Sequence, residues 1–193
     1  MHFKIERSGG AVLLALAGGF WLMRSVAAQS PPPKLTALKG EMKVFEAVID
    51  GTMAQIFAPP FGLLEKTKGT YLPGFGLAFS LEVNLSPLRP PTPFDTHPRS
   101  EVELEKARKI EVGRIAMIKD AVPRLLADHA MSLRDLGLDD SVAVTVHLFQ
   151  MEPGVTEVPG QLVIESKKSD LERFWDKKIS YQELVGKITI LEL

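Results

Sequence analysis

The chain contains no cysteine. Disulfide bridges, thiolate metal sites and a cysteine nucleophile are therefore excluded together. Net charge is also nearly absent: 23 basic residues face 24 acidic ones, leaving −1. No global field draws the protein to nucleic acid. The four histidines, His2, His97, His129 and His147, form no His-x-His or His-Glu-x-x-His ligand pair. No Gly-x-Ser-x-Gly elbow occurs, and no Gly-Lys-Ser/Thr follows any glycine. Aromatic residues make up 7%. They are too sparse in the basic C-terminal third to stack bases. Neither a cofactor nor a metal nor a nucleic-acid partner is expected from this inventory.

What is present is an ordinary globular composition, 45% hydrophobic and 24% charged over 193 residues. That length suits one domain with a core large enough to stand without staples. The N-terminus is the most informative segment for location. Lys4 and Arg7 precede an uncharged run, "AVLLALAGGFWLM", at 11–23, and Arg24 and "SVAAQS" follow. Val26 and Ala28 fit a small-residue cleavage site, so residues 1–28 read as a secretory signal peptide. As a helix the run rises only about 20 Å, against a hydrocarbon core of about 30 Å. The alternative is an uncleaved inner-membrane anchor through residues 11–23, the one case in which the membrane is itself a partner. Residues 29–37, with "SPPPK", form a stiff leader. Residues 38–193 are read as a single domain.

Period separates helices from strands along that domain. Met42, Phe45, Val48, Ile49, Met53 and Ile56 recur at helical spacing, giving a helix over 38–57 stopped by Pro59-Pro60. Ser100 and Glu103 form a capping box opening a helix to about 129. Its stripe is Leu104, Ala107, Ile115, Ile118, Val122 and Leu125, with a bend expected ahead of Pro123. Strict alternation marks strands at 77–85 and 141–150, and further strands fit 70–72, 161–167 and 187–193. Ser169/Glu172 and Ser180/Glu183 have capping-box spacing and predict two short helices. The expected fold is α+β: a mixed, largely antiparallel sheet of about five strands covered by two main helices, with short C-terminal helices.

The glycines of "KGTYLPGFGLAFSLEVNL", 68–85, invite a phosphate-loop reading. Phosphate needs glycines leading into a helix N-terminus, whose free amides hold the anion. Here they lead into an alternating strand. Pro73, Gly74 and Gly76 are therefore assigned a structural turn, with proline fixing φ and glycine permitting positive φ.

Three loop residues are the candidates for function. "SPLRPPTPFDTHPR", 86–99, carries five prolines. Long loops of this kind in compact domains are often functional. Phe94 is a candidate partner contact, and Asp95 with His97 is a candidate acid/base pair, although no nucleophile accompanies them. "ERFWDKKISYQE", 172–183, partly resembles a calcium-binding loop, with Glu172, Asp176 and Glu183 at ligand positions. Phe174 replaces an oxygen ligand and Lys177 replaces the glycine of the sharp turn. Glu172 and Glu183 are better used as helix caps.

"GTYLPGFGLAFSLEVNL" resembles a group of uncharacterised exported bacterial proteins that carry a Tyr-Leu-Pro-Gly-aromatic-Gly strand. "DSVAVTVHLF" and "SDLERFWDKKISYQEL" are similar in kind, and together the three cover under half of the chain after residue 28. The resemblance implies export and a shared fold, and supplies no activity or site residues. The function expected is a periplasmic or secreted envelope protein that binds another envelope component. The alternative is a periplasmic hydrolase using Asp95 and His97.

Overall fold

The computed structural model describes residues 35–57, 62–87, 99–149 and 158–193. Among them lie a five-stranded sheet and four α-helices, an α+β fold. The elements follow the chain as α1 (Leu35–Ile56), β1 (Gly62–Leu72), β2 (Gly76–Asn84), α2 (Glu101–His129), β3 (Ser141–Phe149), β4 (Gln161–Lys167), α3 (Lys168–Trp175), α4 (Tyr181–Val185) and β5 (Thr189–Glu192). A single 3-10 turn, Ala130–Ser132, follows α2. The strand order is the chain order, β1 to β5. Only β2 and β3 pair in parallel; the other three pairs are antiparallel. A parallel neighbour needs a long crossover, and α2 supplies it.

Alternation puts Leu77, Phe79, Leu81 and Val83 of β2 beside Val142, Val144, Val146 and Leu148 of β3, all buried. Leu162 and Ile164 of β4 extend that face. Against it pack Leu38, Phe45, Ile49 and Met53 of α1, and Ile115, Ile118, Val122 and Leu126 of α2. Phe45 and Phe79 meet with ring centroids 4.9 Å apart. The opposite face, with Ser80 and His147 exposed, carries no covering element among the described residues.

One departure from the sequence reading has a clear cause. β1 has 11 residues, far longer than the 70–72 expected. Its register shifts between Leu63 and Glu65 and again between Glu65 and Lys68. Each irregularity resets the alternation, so no period of two is visible there. As the sequence reading has it, α2 extends to His129 with Pro123 inside it, and Pro123 is buried. Proline has no N–H for the Lys119 carbonyl, yet packing of Val122, Leu125 and Leu126 carries the helix past it.

The turn at 72–76 joins β1 to β2. The Phe75 N–H donates to the Leu72 carbonyl at 3.0 Å, with Pro73 and Gly74 between. Gly74 has φ +81°, the third-position value of a type II turn. Gly76 has φ +124°, and a Cβ there would lie 2.2 Å from the Ser141 carbonyl oxygen. Glycine here lets β2 begin tight against β3.

Candidate functional site

Phe94, Asp95 and His97 lie outside the described residues. Of the other histidines, His129 is exposed at the end of α2. His147 is exposed on the open sheet face, between Glu82 and Gln161 in register. Asp139 and Asp140 sit in the turn before β3, where Asp140 Oδ2 accepts the Gly137 N–H at 3.1 Å. The residues with the most developed geometry are those of 172–183.

β4 passes straight into α3. The Ser169–Glu172 capping box does not form, because Lys167 occupies the N-cap position. The first helical amides are taken by backbone instead: Lys168 N–H donates to the Asp140 carbonyl at 2.9 Å and Ser169 N–H to the Leu138 carbonyl at 3.1 Å. The other end of α3 closes in a Schellman motif. Lys178 N–H reaches the Arg173 carbonyl at 2.8 Å, and Lys177 N–H reaches the Phe174 carbonyl at 2.9 Å. Lys177 holds φ +59° at the position where glycine is usual. The sharp turn is thus made by a lysine, against a local steric cost of about 1–2 kcal/mol.

Ser180 then opens α4. Its hydroxyl accepts the Glu183 N–H at 3.3 Å, and Glu183 Oε2 accepts the Ser180 N–H at 2.7 Å. The Ser180 N–H, and the Ser180 hydroxyl that donates to Glu183 Oε2 at 2.8 Å, hold the Glu183 carboxyl below its usual range. The carboxylate is committed to the cap. Phe174 packs on Tyr181, rings 6.1 Å apart and edge-on, and Arg124 of α2 lies 5.4 Å from the Tyr181 ring centroid. Ile179, 8% exposed, pins the link between the helices to the core.

The result is an open groove of about 700 Å³ between the end of α3 and the start of α4. Trp175 forms an apolar wall and is 55% exposed. Lys177 and Lys178 line the same groove. Lys178 pairs with Asp176 at 2.8 Å, and Arg173 and Lys187 share Asp170. Lys177 has no ion pair among the described residues. The groove accordingly offers aromatic surface beside one ammonium without an ion pair, with the cap-bound Glu183 carboxylate on the same lining, a combination suited to an apolar group whose adjacent anion meets Lys177. Neither of the described histidines lines it. Among the described residues no group of three or more His, Asp or Glu is placed to hold a metal ion.

Sequence reasoning missed two features. Trp175 follows the buried Leu171 by four residues and has the spacing of a core position, but the Schellman turn ends the helix and leaves the indole in solvent. Lys168 is 1% exposed, its Nζ donating to the Ala130 carbonyl at 3.0 Å. The signal was present: Leu162, Ile164, Ser166 and Lys168 continue one alternating face inward. Desolvation lowers the Lys168 ammonium below its ordinary value, opposed by the Glu172 and Glu41 charges.

No family model, curated protein or solved structure matches the chain. Among the described residues no helix is long and apolar enough to cross a membrane.

Proposed function

We infer that the protein is an exported envelope protein that acts by binding another envelope component, and that it does so through the α3–α4 groove. Export is supported by residues 1–28, whose basic start, short apolar run and small-residue site have signal-peptide form. Binding is supported by the groove's chemistry. The observation that carries the reading is the exposed Trp175 beside the unpaired Lys177. A large exposed indole is typical of a contact surface, since Trp and Tyr are among the side chains that dominate binding energetics, and the cation beside it selects an anionic neighbour. The partner fitting this groove presents an aliphatic or aromatic group next to a carboxylate or another anion.

The test is crosslinking in whole cells with an affinity-tagged full-length chain, followed by mass spectrometry. The expected result is recovery of a defined envelope component with the wild-type chain and its loss with Trp175→Ala combined with Lys177→Glu. Recovery of the same component by both chains would move the binding elsewhere on the protein. Recovery of cytoplasmic proteins alone would overturn export.

A further inference from the structure

The two edges of the sheet are treated differently. At the β1 edge, Glu46 Oε1 of α1 accepts the Gly69 N–H at 2.8 Å, and Asp50 Oδ1 accepts the Thr67 N–H at 2.9 Å. Those are outward amides of an edge strand, and both are occupied. The β5 edge has no such cover among the described residues. Gln161 and Leu193 exchange both backbone bonds at 3.0 Å. Alternation in an antiparallel pair then turns Leu191 toward β4 and leaves the N–H and C=O of Ile190 and Glu192 facing outward. Neither residue has another backbone partner among the described residues.

Apart from its shortness, four residues, β5 carries little of the usual protection of an exposed edge. It contains no proline and no bulge, and its sequence is Thr-Ile-Leu-Glu. All four residues are exposed, with Ile190 at 37% and Leu191 at 49%. Leu191 shares the open sheet face with its register partner Val163, giving an apolar strip beside the free backbone groups. The single charge on the strand, Glu192, is held by Lys119 of α2.

We propose that the β5 edge accepts an extended segment of a partner polypeptide, which adds to the sheet as a sixth strand. Backbone bonds to Ile190 and Glu192 hold the segment, and apolar side chains at its alternate positions lie against Leu191 on the open face. A second folded copy of this chain fits less well. Four strand residues span only about 13 Å, and their half-exposed side chains fall far short of the roughly 800 Å² per partner that a stable dimer buries. An extended segment needs no such area, because its backbone bonds supply the register and much of the affinity. The site deepens the proposed binding role but does not depend on the α3–α4 groove.

The test uses isotopically labelled full-length chain and a synthetic heptapeptide, Lys-Thr-Val-Thr-Val-Thr-Lys, whose valines supply one apolar face. Nuclear magnetic resonance titration should shift the Ile190 and Glu192 amides and slow their exchange, while Thr67 and Gly69 stay unchanged. Ile190→Pro removes an outward N–H, which an edge strand tolerates. It should weaken binding at least about tenfold with the melting temperature retained. If that variant fails to fold, Glu192→Pro makes the same test with a more exposed side chain. Absence of any shift at Ile190 and Glu192, or equal binding by the proline variants, overturns the proposal. Concentration-dependent dimerisation that protects the same two amides without peptide would also overturn it, in favour of self-pairing. Because the peptide is supplied directly, failure here is separable from failure of the groove or of export.

Discussion

Glu46 and Gly69 lie 23 positions apart in sequence, and a carboxylate oxygen of the first accepts the backbone N–H of the second at 2.8 Å. One helical turn later Asp50 does the same for Thr67 and also accepts its hydroxyl, at 2.6 Å. Positions i and i+4 of a helix are separated by about 6 Å, close to the spacing of alternate residues in a strand. Two carboxylates on α1 thus match two successive outward amides on β1. Gly69 makes the approach sterically feasible, since a Cβ there would lie 2.8 Å from the Phe79 ring and 3.1 Å from the Met42 methyl.

The first prediction concerns this seal. Hydrogen bonds to charged groups contribute about 1.5–3 kcal/mol each. Glu46→Ala with Asp50→Ala should lower stability in urea by about 3 kcal/mol or more and expose the β1 edge. Sedimentation should then show self-association that the wild type lacks. An unchanged urea midpoint would show that the two carboxylates contribute nothing.

The glycine turn gives a ranked pair. Gly76→Ala combines a positive φ with a 2.2 Å clash against backbone, and should cost on the order of 3 kcal/mol or prevent folding. Gly74→Ala meets open space and suffers only the φ penalty, about 1–2 kcal/mol. Thermal melts of the two should preserve that order.

Lys177 provides the opposite case. Replacing an αL lysine by glycine removes a steric penalty, so Lys177→Gly should stabilise the fold by about 1 kcal/mol. It should also weaken partner recovery in the crosslinking experiment, because the ammonium is lost. Stabilisation together with loss of binding is the signature of strain kept for function.

Lys168 sets a pH dependence. Burial depresses its ammonium, so between the folded-state value and the ordinary lysine value the unfolded chain binds more protons. Stability then rises with pH across that window and declines as pH falls through the folded value. Urea midpoints of wild type relative to Lys168→Met should therefore increase as the pH rises toward the ordinary lysine value, about 10.4, and level off above it. A difference that stays flat or falls would mean that the native lysine is not depressed.

Ser141 is fully buried, and its hydroxyl has no hydrogen-bond partner among the described residues. An unsatisfied buried hydroxyl costs about 1–3 kcal/mol. Ser141→Ala should be neutral or stabilising in denaturant melts, whereas a clear loss of stability would reveal a bond that the hydroxyl makes.

Much of the architecture is legible in the chain because packing here follows simple periods. The alternation of Leu77 to Leu85 and Val142 to Leu148 marks the central parallel pair, and the Ser100–Glu103 and Ser180–Glu183 boxes open α2 and α4. What resisted reading depends on contacts distant in sequence. The bulges in β1 hide its period. The α3 N-terminus is satisfied by carbonyls of Leu138 and Asp140, which makes the Ser169–Glu172 spacing irrelevant. The positive φ of Lys177 is a tertiary choice that residue type argues against. The α3–α4 groove was visible only as an imperfect calcium loop, because its aromatic exposure arises from where the helix stops.

One edge of the sheet is sealed by Glu46 and Asp50 while the other leaves the Ile190 and Glu192 amides open, and backbone amide exchange of the full-length chain tests this contrast most directly. Thr67 and Gly69 should exchange slowly, close to the rate set by global unfolding, while Ile190 and Glu192 should exchange rapidly in the isolated protein. Equal protection at both edges, or rapid exchange at Thr67 and Gly69, would contradict it.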